Sequence, residues 1–238
     1  MQEFVVARML GFKPFPSEGC DLIHCQDCNY AGSSYRFDRD EEMRYYTGYM
    51  GPEYAAARGC QAQAAYYDSE DYKSLRRNMC STTLASLLDF TSIHSVLDYG
   101  GNTGEMIPVE LAHANRYVVD TEPRNLPTGA VAITSPEESG PVDLVICGHT
   151  LEHVSYPQAV VKDIKRYVKP GTWFYLEVPV ENEGNFSDGY NFSEHINYFR
   201  DTTLEKLMVA YDCQVHLVKM EVYVNSIGHV FIAVGQFK

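Results

Sequence analysis

The sequence predicts an α/β fold with a mostly parallel sheet, preceded by a small appendage rich in Cys and Tyr. Two observations carry this prediction. From residue 93 onward, short β-branched runs alternate with helical segments, a pattern typical of parallel sheets. Residues 1–90 lack that alternation and are rich in Tyr, Cys and Arg. We therefore expect the appendage to cover residues 1–90 and the α/β domain to cover residues 91–238.

The individual elements follow from the apolar runs in chain order. Strands are predicted at 95–98, 116–120, 130–134, 143–147 and 173–178, with a final strand pair at 213–224 and 229–236. Helices are predicted at 70–89, from the glycine-rich turn to about residue 113, at 157–168 and at 202–211. The third helix has Val160, Val161, Ile164 and Val168 on one stripe, and we expect it to stop at Lys169-Pro170-Gly171.

Composition limits the partners and the compartment. The chain has 19 basic and 32 acidic side chains, a net charge of −13, which disfavours nucleic acid. The amino end lacks a signal-peptide pattern, and the longest late uncharged run, 222–237, is too short and too polar for a membrane span. Seven scattered cysteines suit reduced thiols better than a disulfide framework. We expect a cytoplasmic protein.

The strongest local signal is VLDYGGNTG at 96–104, where an apolar strand runs into Asp98 and a turn with Gly100, Gly101 and Gly104. Glycines let the backbone turn sharply and approach a ligand that a Cβ would exclude. Any tight strand-to-helix connection can use such a turn. Asp120 ends the next apolar strand, 22 residues after Asp98, which is the interval at which a carboxylate binds ribose hydroxyls.

Together with three later blocks, these segments resemble class I S-adenosylmethionine (SAM)-dependent methyltransferases, in particular small-molecule enzymes that include sugar C-methyltransferases. The similar blocks are VLDYGGNTG, YVVDTEP, DLVICGHTLEHVSYP, VKPGTWFYLEVP and SEHINYFRDTTLEKLM, in the family's order. The resemblance covers roughly residues 92–236. It implies a Rossmann-like seven-stranded sheet with a reversed last strand.

The resemblance also implies a SAM site. The backbone from Gly100 through Gly101 to Gly104 would face the methionine part, with Asp98 nearby. The remaining implied contacts are Asp120 and Thr121 at the ribose, Ser135 near adenine, and Cys147, Gly148 and His149 lining the pocket. Asn102 stands where the family has its middle glycine. Asn tolerates left-handed backbone, so the turn can survive, although its side chain narrows the space beside SAM.

Two histidines are candidate catalytic residues. His195 follows a polar loop at 181–194, and an imidazole near the methyl group could remove a proton from the acceptor or simply hydrogen-bond the loop. His153 could act as a general base, or could pack or cap a helix. It closes His149-Thr-Leu-Glu152-His153, which also spells the H-x-x-E-H zinc-protease pattern, a chemistry that needs both histidines on one helix.

The appendage contains a candidate zinc knuckle. Cys25-Gln-Asp-Cys28 can supply two thiolates, and Cys20, His24 or Cys60 would have to complete a tetrahedral site. The resembling sugar methyltransferases carry paired CxxC turns, whereas this chain has one, so buried thiols are the alternative. The aromatic stretch 44–58 predicts either a surface that stacks on sugars or covers a cofactor, or a small helical lid packed on the core.

We expect SAM-dependent methyl transfer to a small polar metabolite, such as a sugar or glycan precursor. Three alternatives stay open. The chain could methylate a protein or peptide, it could be a degenerate methyltransferase fold that binds SAM or a partner without turnover, or it could be a NAD-dependent dehydrogenase with the same early motif order. The sequence does not fix the oligomeric state.

Overall fold

The computed structural model describes residues 22–34, 36–49, 51–58, 60–180, 195–222 and 228–238. The strands are β1 (Leu22–His24), β2 (Ala31–Ser33), β3 (Ser95–Tyr99), β4 (Asn115–Val119), β5 (Ala130–Ala132), β6 (Val142–Gly148), β7 (Val168–Pro179), β8 (Asn197–Tyr198), β9 (Cys213–Val222) and β10 (His229–Phe237). The α-helices are α1 (Arg39–Tyr46), α2 (Pro52–Arg58), α3 (Gln61–Tyr67), α4 (Glu70–Ala85), α5 (Pro157–Ile164) and α6 (Asp201–Val209).

A seven-stranded sheet forms the centre of the molecule, in the order β5-β4-β3-β6-β7-β10-β9. β3, β4, β5, β6 and β7 run parallel, and β10 is antiparallel to both of its neighbours. This topology confirms the predicted Rossmann-like sheet with a reversed last strand. The strand order changes direction between β3 and β6, which opens a crevice at the carboxyl ends of these strands, where such sheets bind ligands.

Apolar side chains cover both faces of this sheet. On one face, Cys80 and Leu84 of α4 pack against Val96, Ile146 and neighbouring strand residues. On the other, α5 and α6 pack against a second buried cluster. The stripe predicted for α5 is confirmed in part, because Val161 and Ile164 are fully covered while Val160 is half-buried. Val168 is not part of the helix, since it is the first residue of β7.

The prediction of a helix between the glycine turn and residue 113 is wrong. The chain there forms turns and a single 3-10 turn at Val109–Leu111. Pro108 explains the difference, because it lacks an N–H and disfavours helical backbone at the residue before it. Two helix ends also differ from the prediction. α4 ends at Ala85 rather than residue 89, and β7 already begins at Val168, so Lys169-Pro170-Gly171 lies within the strand.

The appendage joins the α/β domain through a second, three-stranded sheet in the order β1-β2-β8. Gly32 of β2 pairs with Asn197 of β8, so a segment from the far end of the sequence completes the sheet. No helix within the described ranges combines the length and apolar character that crossing a bilayer would require.

Candidate functional site

The crevice has two sides. The glycine side comprises Asp98 to Arg124, at the carboxyl ends of β3 and β4. The histidine side comprises the turn 149–155 after β6 and the segment 195–197 that leads into β8. Both lie at the same edge of the sheet because parallel strands present their carboxyl ends together.

The glycine turn is as tight as the sequence predicts. Gly100 and Gly104 have φ of +72° and +67°, and Asn102 has φ of +43°. A Cβ at Gly101 would lie 2.3 Å from Cγ of Asp98, so only glycine fits there. Left-handed backbone at three positions turns the chain sharply after β3, and the N–H groups of these three residues donate to acceptors in the turn itself or at the end of β4.

Asp98 is buried beneath this turn. Its side chain is 1% exposed, and neither carboxylate oxygen has a hydrogen-bond partner with good geometry in the described part of the chain. Burial raises the pKa of Asp98 to about 7, although the charge of Arg76 counteracts it. A buried carboxylate without partners is costly, and a cationic ligand group would stabilise it.

Asp120 has the opposite environment. Its Oδ2 accepts the backbone N–H of Asn102 at 2.9 Å, and its Oδ1 accepts the N–H of Glu122 at 2.9 Å. These bonds fix the carboxylate at the end of β4 next to the glycine turn. The Thr121 hydroxyl lies 3.4 Å from the same carboxylate. Both oxygens keep lone pairs for further donors, as a ribose diol would supply.

Asn102 links the glycine turn to the appendage. Its Oδ1 accepts a hydrogen bond from Nε of Arg124 at 3.2 Å, and Arg124 also donates to the backbone carbonyl of Tyr49 at 3.1 Å. Next to this contact, Glu122 accepts the backbone N–H of Gly48 at 2.9 Å. We call these three bonds the clasp. Asn102 therefore has a structural task that a glycine would not perform.

Beside the turn, His149 bridges two fully buried carboxylates. It is left-handed, with φ of +53°, and its Nε2 lies 3.1 Å from Oε1 of Glu177 while its Nδ1 lies 3.4 Å from Oε1 of Glu152. Arg76 contacts Glu177 at 3.4 Å, and the Tyr175 hydroxyl donates to it at 2.5 Å. Burial raises the pKa of Glu177, but the His149 hydrogen bond and the Arg76 charge outweigh it and hold this pKa at about 2.

On the histidine side, Glu152, His153 and His195 converge. One ligand-type atom from each of the three lies within 4.8 Å of the other two. The imidazole rings of His153 and His195 meet edge to face with centroids 4.7 Å apart. The backbone sets this arrangement, because the Glu152 carbonyl accepts the N–H of Ile196 at 2.9 Å and that of Asn197 at 3.0 Å.

An aromatic cluster from the appendage covers His153. The rings of Tyr46 and Tyr49 lie 5.9 and 5.8 Å from its ring, both edge to face. Tyr45 and Tyr54 pack behind them and are buried. The aromatic stretch therefore contacts the turn after β6 through Tyr46 and Tyr49.

Comparison with known protein families shows which family the chain belongs to. A family model described as a methyltransferase domain matches residues 67–218. The chain belongs to this family. It is a SAM-dependent methyltransferase, as the sequence resemblance predicts. A search of curated proteins finds no significant match.

Several solved structures share the fold of this methyltransferase. Magnesium protoporphyrin IX methyltransferase from Synechocystis PCC 6803, with bound S-adenosylhomocysteine, is 15% identical with a TM-score of 0.56 over 78% of this chain and 97% of its own. The Burkholderia thailandensis 1,6-didemethyltoxoflavin-N1-methyltransferase is 15% identical with a TM-score of 0.55 over 90% and 98%. The plantazolicin methyltransferase is 11% identical with a TM-score of 0.57 over 80% and 93%.

Three of the expected pocket residues have clear structural roles in this methyltransferase. Cys147 is 1% exposed, and its side chain packs in the core rather than toward the crevice. Ser135 precedes the 3-10 turn Pro136–Glu138, and its backbone N–H donates to Glu138. Gly148 has a reason to lack a side chain, since a Cβ would lie 3.0 Å from Arg76.

The protease reading of H-x-x-E-H is wrong. The pentad lies in turns rather than on a helix, so His149 and His153 do not share a helical face. His149 instead contacts the carboxylates of Glu152 and Glu177. The positive φ of His149 ends β6 abruptly and is the local reason why no helix starts there.

The CxxC segment lies between the first two strands of the appendage. Cys25 and Cys28 lie in the turn between β1 and β2, and the N–H groups of Cys28 and Asp27 lower the pKa of the Cys25 thiol. Cys60 packs against the aromatic cluster, and it does not join Cys25 and Cys28 in a three-ligand group within the described ranges. Cys20 lies outside the described residues.

Sequence reasoning missed Arg76, Glu177, Arg124 and Asn197. Glu177 carried a readable signal, a lone charge within the apolar run WFYLEVP. Asn197 is fully buried, accepts the Tyr30 hydroxyl at 2.5 Å and donates to the carbonyls of Leu151 and Val154. Nothing in the local sequence marks these long-range partners.

Proposed function

We propose that this methyltransferase transfers the methyl group of SAM to a small polar metabolite, such as a sugar or another glycan precursor. The observation that carries the proposal is the histidine side itself, where the imidazoles of His153 and His195 meet under the Tyr46 and Tyr49 rings. Tyr rings with hydroxyl tips suit a polar, ring-shaped acceptor.

The glycine side fits SAM. Asp98 offers an unpartnered buried carboxylate that suits a cationic group of the cofactor, and the left-handed turn leaves room for the methionine part. Asp120 suits the ribose hydroxyls. The proposed SAM contacts are Asp98, Gly100, Gly101, Asn102, Gly104, Asp120, Thr121, Ser135, Gly148 and His149, with the backbone of Cys147. When bound, SAM supplies an electrophilic methyl group on a sulfonium.

His195 and His153 act on the acceptor. An imidazole at this position would bind the acceptor's nucleophilic group and ease the loss of its proton, because the ordinary pKa of histidine lies close to neutrality. The bonds from Ile196 and Asn197 to the Glu152 carbonyl hold the two rings in place. Such positioning lowers the barrier by aligning the acceptor with the methyl group.

A labelling experiment tests the proposal. The protein is incubated with SAM carrying an isotopically labelled methyl group and a metabolite extract, and the products are analysed by mass spectrometry. We expect label in small molecules. Label confined to protein or peptide would support the peptide alternative. SAM binding without any labelled product would support the fold that binds without turnover.

We also propose that Cys25 and Cys28 hold a zinc ion, with Cys20 among its further ligands. The N–H groups that lower the pKa of the Cys25 thiol favour the thiolate that zinc needs. Elemental analysis compares the wild type with a Cys25→Ser/Cys28→Ser variant. We expect the variant to lose about one equivalent of zinc; less than about a tenth of an equivalent in the wild type would end this proposal.

A further inference from the structure

We infer that Glu152, His153 and His195 form a binding site for a divalent transition-metal ion on the histidine side of the crevice. Donor atoms of the three side chains already lie within 4.8 Å of one another. An ion about 2.1 Å from each donor would draw them about 1 Å closer together. Two imidazoles and one carboxylate are a ligand set that suits zinc, iron, cobalt or manganese.

Glu152 supplies the observation that points to a ligand. Its side chain is fully buried, and no hydrogen-bond donor reaches either carboxylate oxygen within the part of the chain that the structure describes. His149 and His153 lie 3.4 and 3.7 Å from Oε1 without forming hydrogen bonds to it. Buried carboxylates are stable when they are paired or coordinate a metal.

Glu177 shows what a satisfied carboxylate looks like in the same crevice. It is equally buried, yet it accepts the Tyr175 hydroxyl at 2.5 Å and contacts both Arg76 and His149. Glu152 is close to His149 as well, but it has no Arg or Tyr of its own in the described ranges. The two carboxylates therefore differ in partners rather than in burial.

The backbone prearranges the three ligands. Glu152 and His153 are consecutive in the turn after β6, and His195 precedes β8. The Glu152 carbonyl holds the N–H groups of Ile196 and Asn197, which places His195 beside His153 before any ion binds. Preorganised donors of this kind are what a metal site requires.

The open coordination positions face the crevice. Glu152 forms the closed back of the site, while the His153 side chain is 12% exposed and His195 is half-buried. The role of the ion in methyl transfer rests on the proposed function. In that role, an oxygen of the acceptor takes one of the open coordination positions. The ion then lowers the pKa of that oxygen, and its proton leaves to water.

Cobalt(II) titration tests the site independently of turnover. The full chain is stripped with a chelator, titrated with Co²⁺ and followed by visible absorption. In Cys25→Ser/Cys28→Ser, which lacks the proposed thiolate site, we expect one equivalent with histidine and carboxylate ligands and no thiolate charge-transfer band. The wild type should take up the same equivalent, and any thiolate band in it belongs to Cys25 and Cys28. The ligand substitutions are therefore made in the Cys25→Ser/Cys28→Ser background. His153→Ala, His195→Ala and Glu152→Gln should each weaken cobalt binding at least about 10-fold.

Binding of S-adenosylhomocysteine shows that each variant is folded, and His153→Gln replaces His153→Ala if the latter is not. The proposed site is overturned if no cobalt binds or if cobalt binding is lost only in the cysteine variant. It is also overturned if substitution of His153 and His195 leaves cobalt binding unchanged. A second readout separates site from function: cobalt bound as expected, with methyl transfer insensitive to chelation, would overturn only the acceptor role.

Discussion

The two sides of the crevice are built differently. The glycine side comes from one continuous stretch, Asp98 to Arg124, which consists of two strand ends and the segment between them. The histidine side is assembled from segments far apart in the chain: the appendage, the turn after β6 and residues 195–197. Phe37, for example, donates its N–H to Ser155 at 2.8 Å across 118 positions.

This difference shows which interactions fix the geometry of each side. Glycines and a strand-ending Asp produce the glycine turn by local backbone geometry. The histidine side depends on cross-chain hydrogen bonds such as those of Asn197. Substitutions on one side should therefore leave the other side's binding nearly intact.

The largest expected effect is on the histidine side. His195→Ala should reduce turnover roughly 10²–10⁴-fold while leaving SAM affinity nearly unchanged, because the imidazole acts on the acceptor. His94→Ala is the matched control, since His94 is exposed at the opposite end of β3. Steady-state kinetics and calorimetry of both variants measure the effect. A loss of SAM affinity equal to the loss of turnover would contradict the separation of the two sides.

Asp98→Asn sharpens the comparison on the glycine side. It should weaken SAM binding about 10–100-fold, because a bond to a charged group contributes about 1.5–3 kcal/mol. The ligand-free variant should nevertheless be more heat-stable than the wild type at neutral pH, because burial raises the pKa of Asp98 to about 7 and its ionisation is unfavourable. Calorimetry and thermal melts check both signs.

The pH dependence of this stability difference follows from the same pKa. The folded pKa of Asp98, about 7, lies above the unfolded value of roughly 3.9. The wild type therefore loses stability relative to Asp98→Asn as pH rises from about 4 to about 7, and the difference stays constant above that. Asp143→Asn is the contrasting control: burial raises the Asp143 pKa, but Lys169 and the His94 N–H lower it overall. A melting-temperature difference for Asp98→Asn that shrinks between these pH values would contradict the assignment.

The clasp should give the smallest effect. Arg124→Ala removes the bonds to Asn102 and Tyr49 and should raise the dissociation constant for SAM about 2–10-fold, as expected for one or two partly buried hydrogen bonds outside the SAM site. Asn102→Gly keeps the left-handed turn and should change the dissociation constant for SAM less than Arg124→Ala does. Arg166→Ala, on an exposed 3-10 turn, serves as the control. If only Asn102→Gly bound SAM tightly, the result would favour a degenerate glycine turn in the wild type.

The sequence predicted most of the fold because apolar runs and turn residues are local signals. The strands β3, β4 and β6, the reversed β10 and the glycine turn all lie where the sequence places them. The helix after the turn failed because Pro108 outweighs the helical tendency around it. β7 begins earlier because pairing with β6 extends the strand through Pro170 and Gly171.

The site was predictable only where it is local. Asp98 and Asp120 end strands at a typical spacing, so their neighbourhood follows from the sequence. The convergence of His195 on Glu152 and His153 does not, because it depends on bonds between positions more than 40 apart in the chain. The clasp is hidden too, because Arg124 bonds Asn102 across 22 positions and Tyr49 across 75.

One measurement tests the division of the crevice most directly: calorimetric titration of S-adenosylhomocysteine into Asp120→Ala and into His195→Ala. Asp120→Ala should weaken binding by about 1–3 kcal/mol, because the ribose hydroxyls lose their acceptor. His195→Ala should bind as the wild type does. Equal affinity for all three proteins, or a loss confined to His195→Ala, would contradict the placement of SAM on the glycine side.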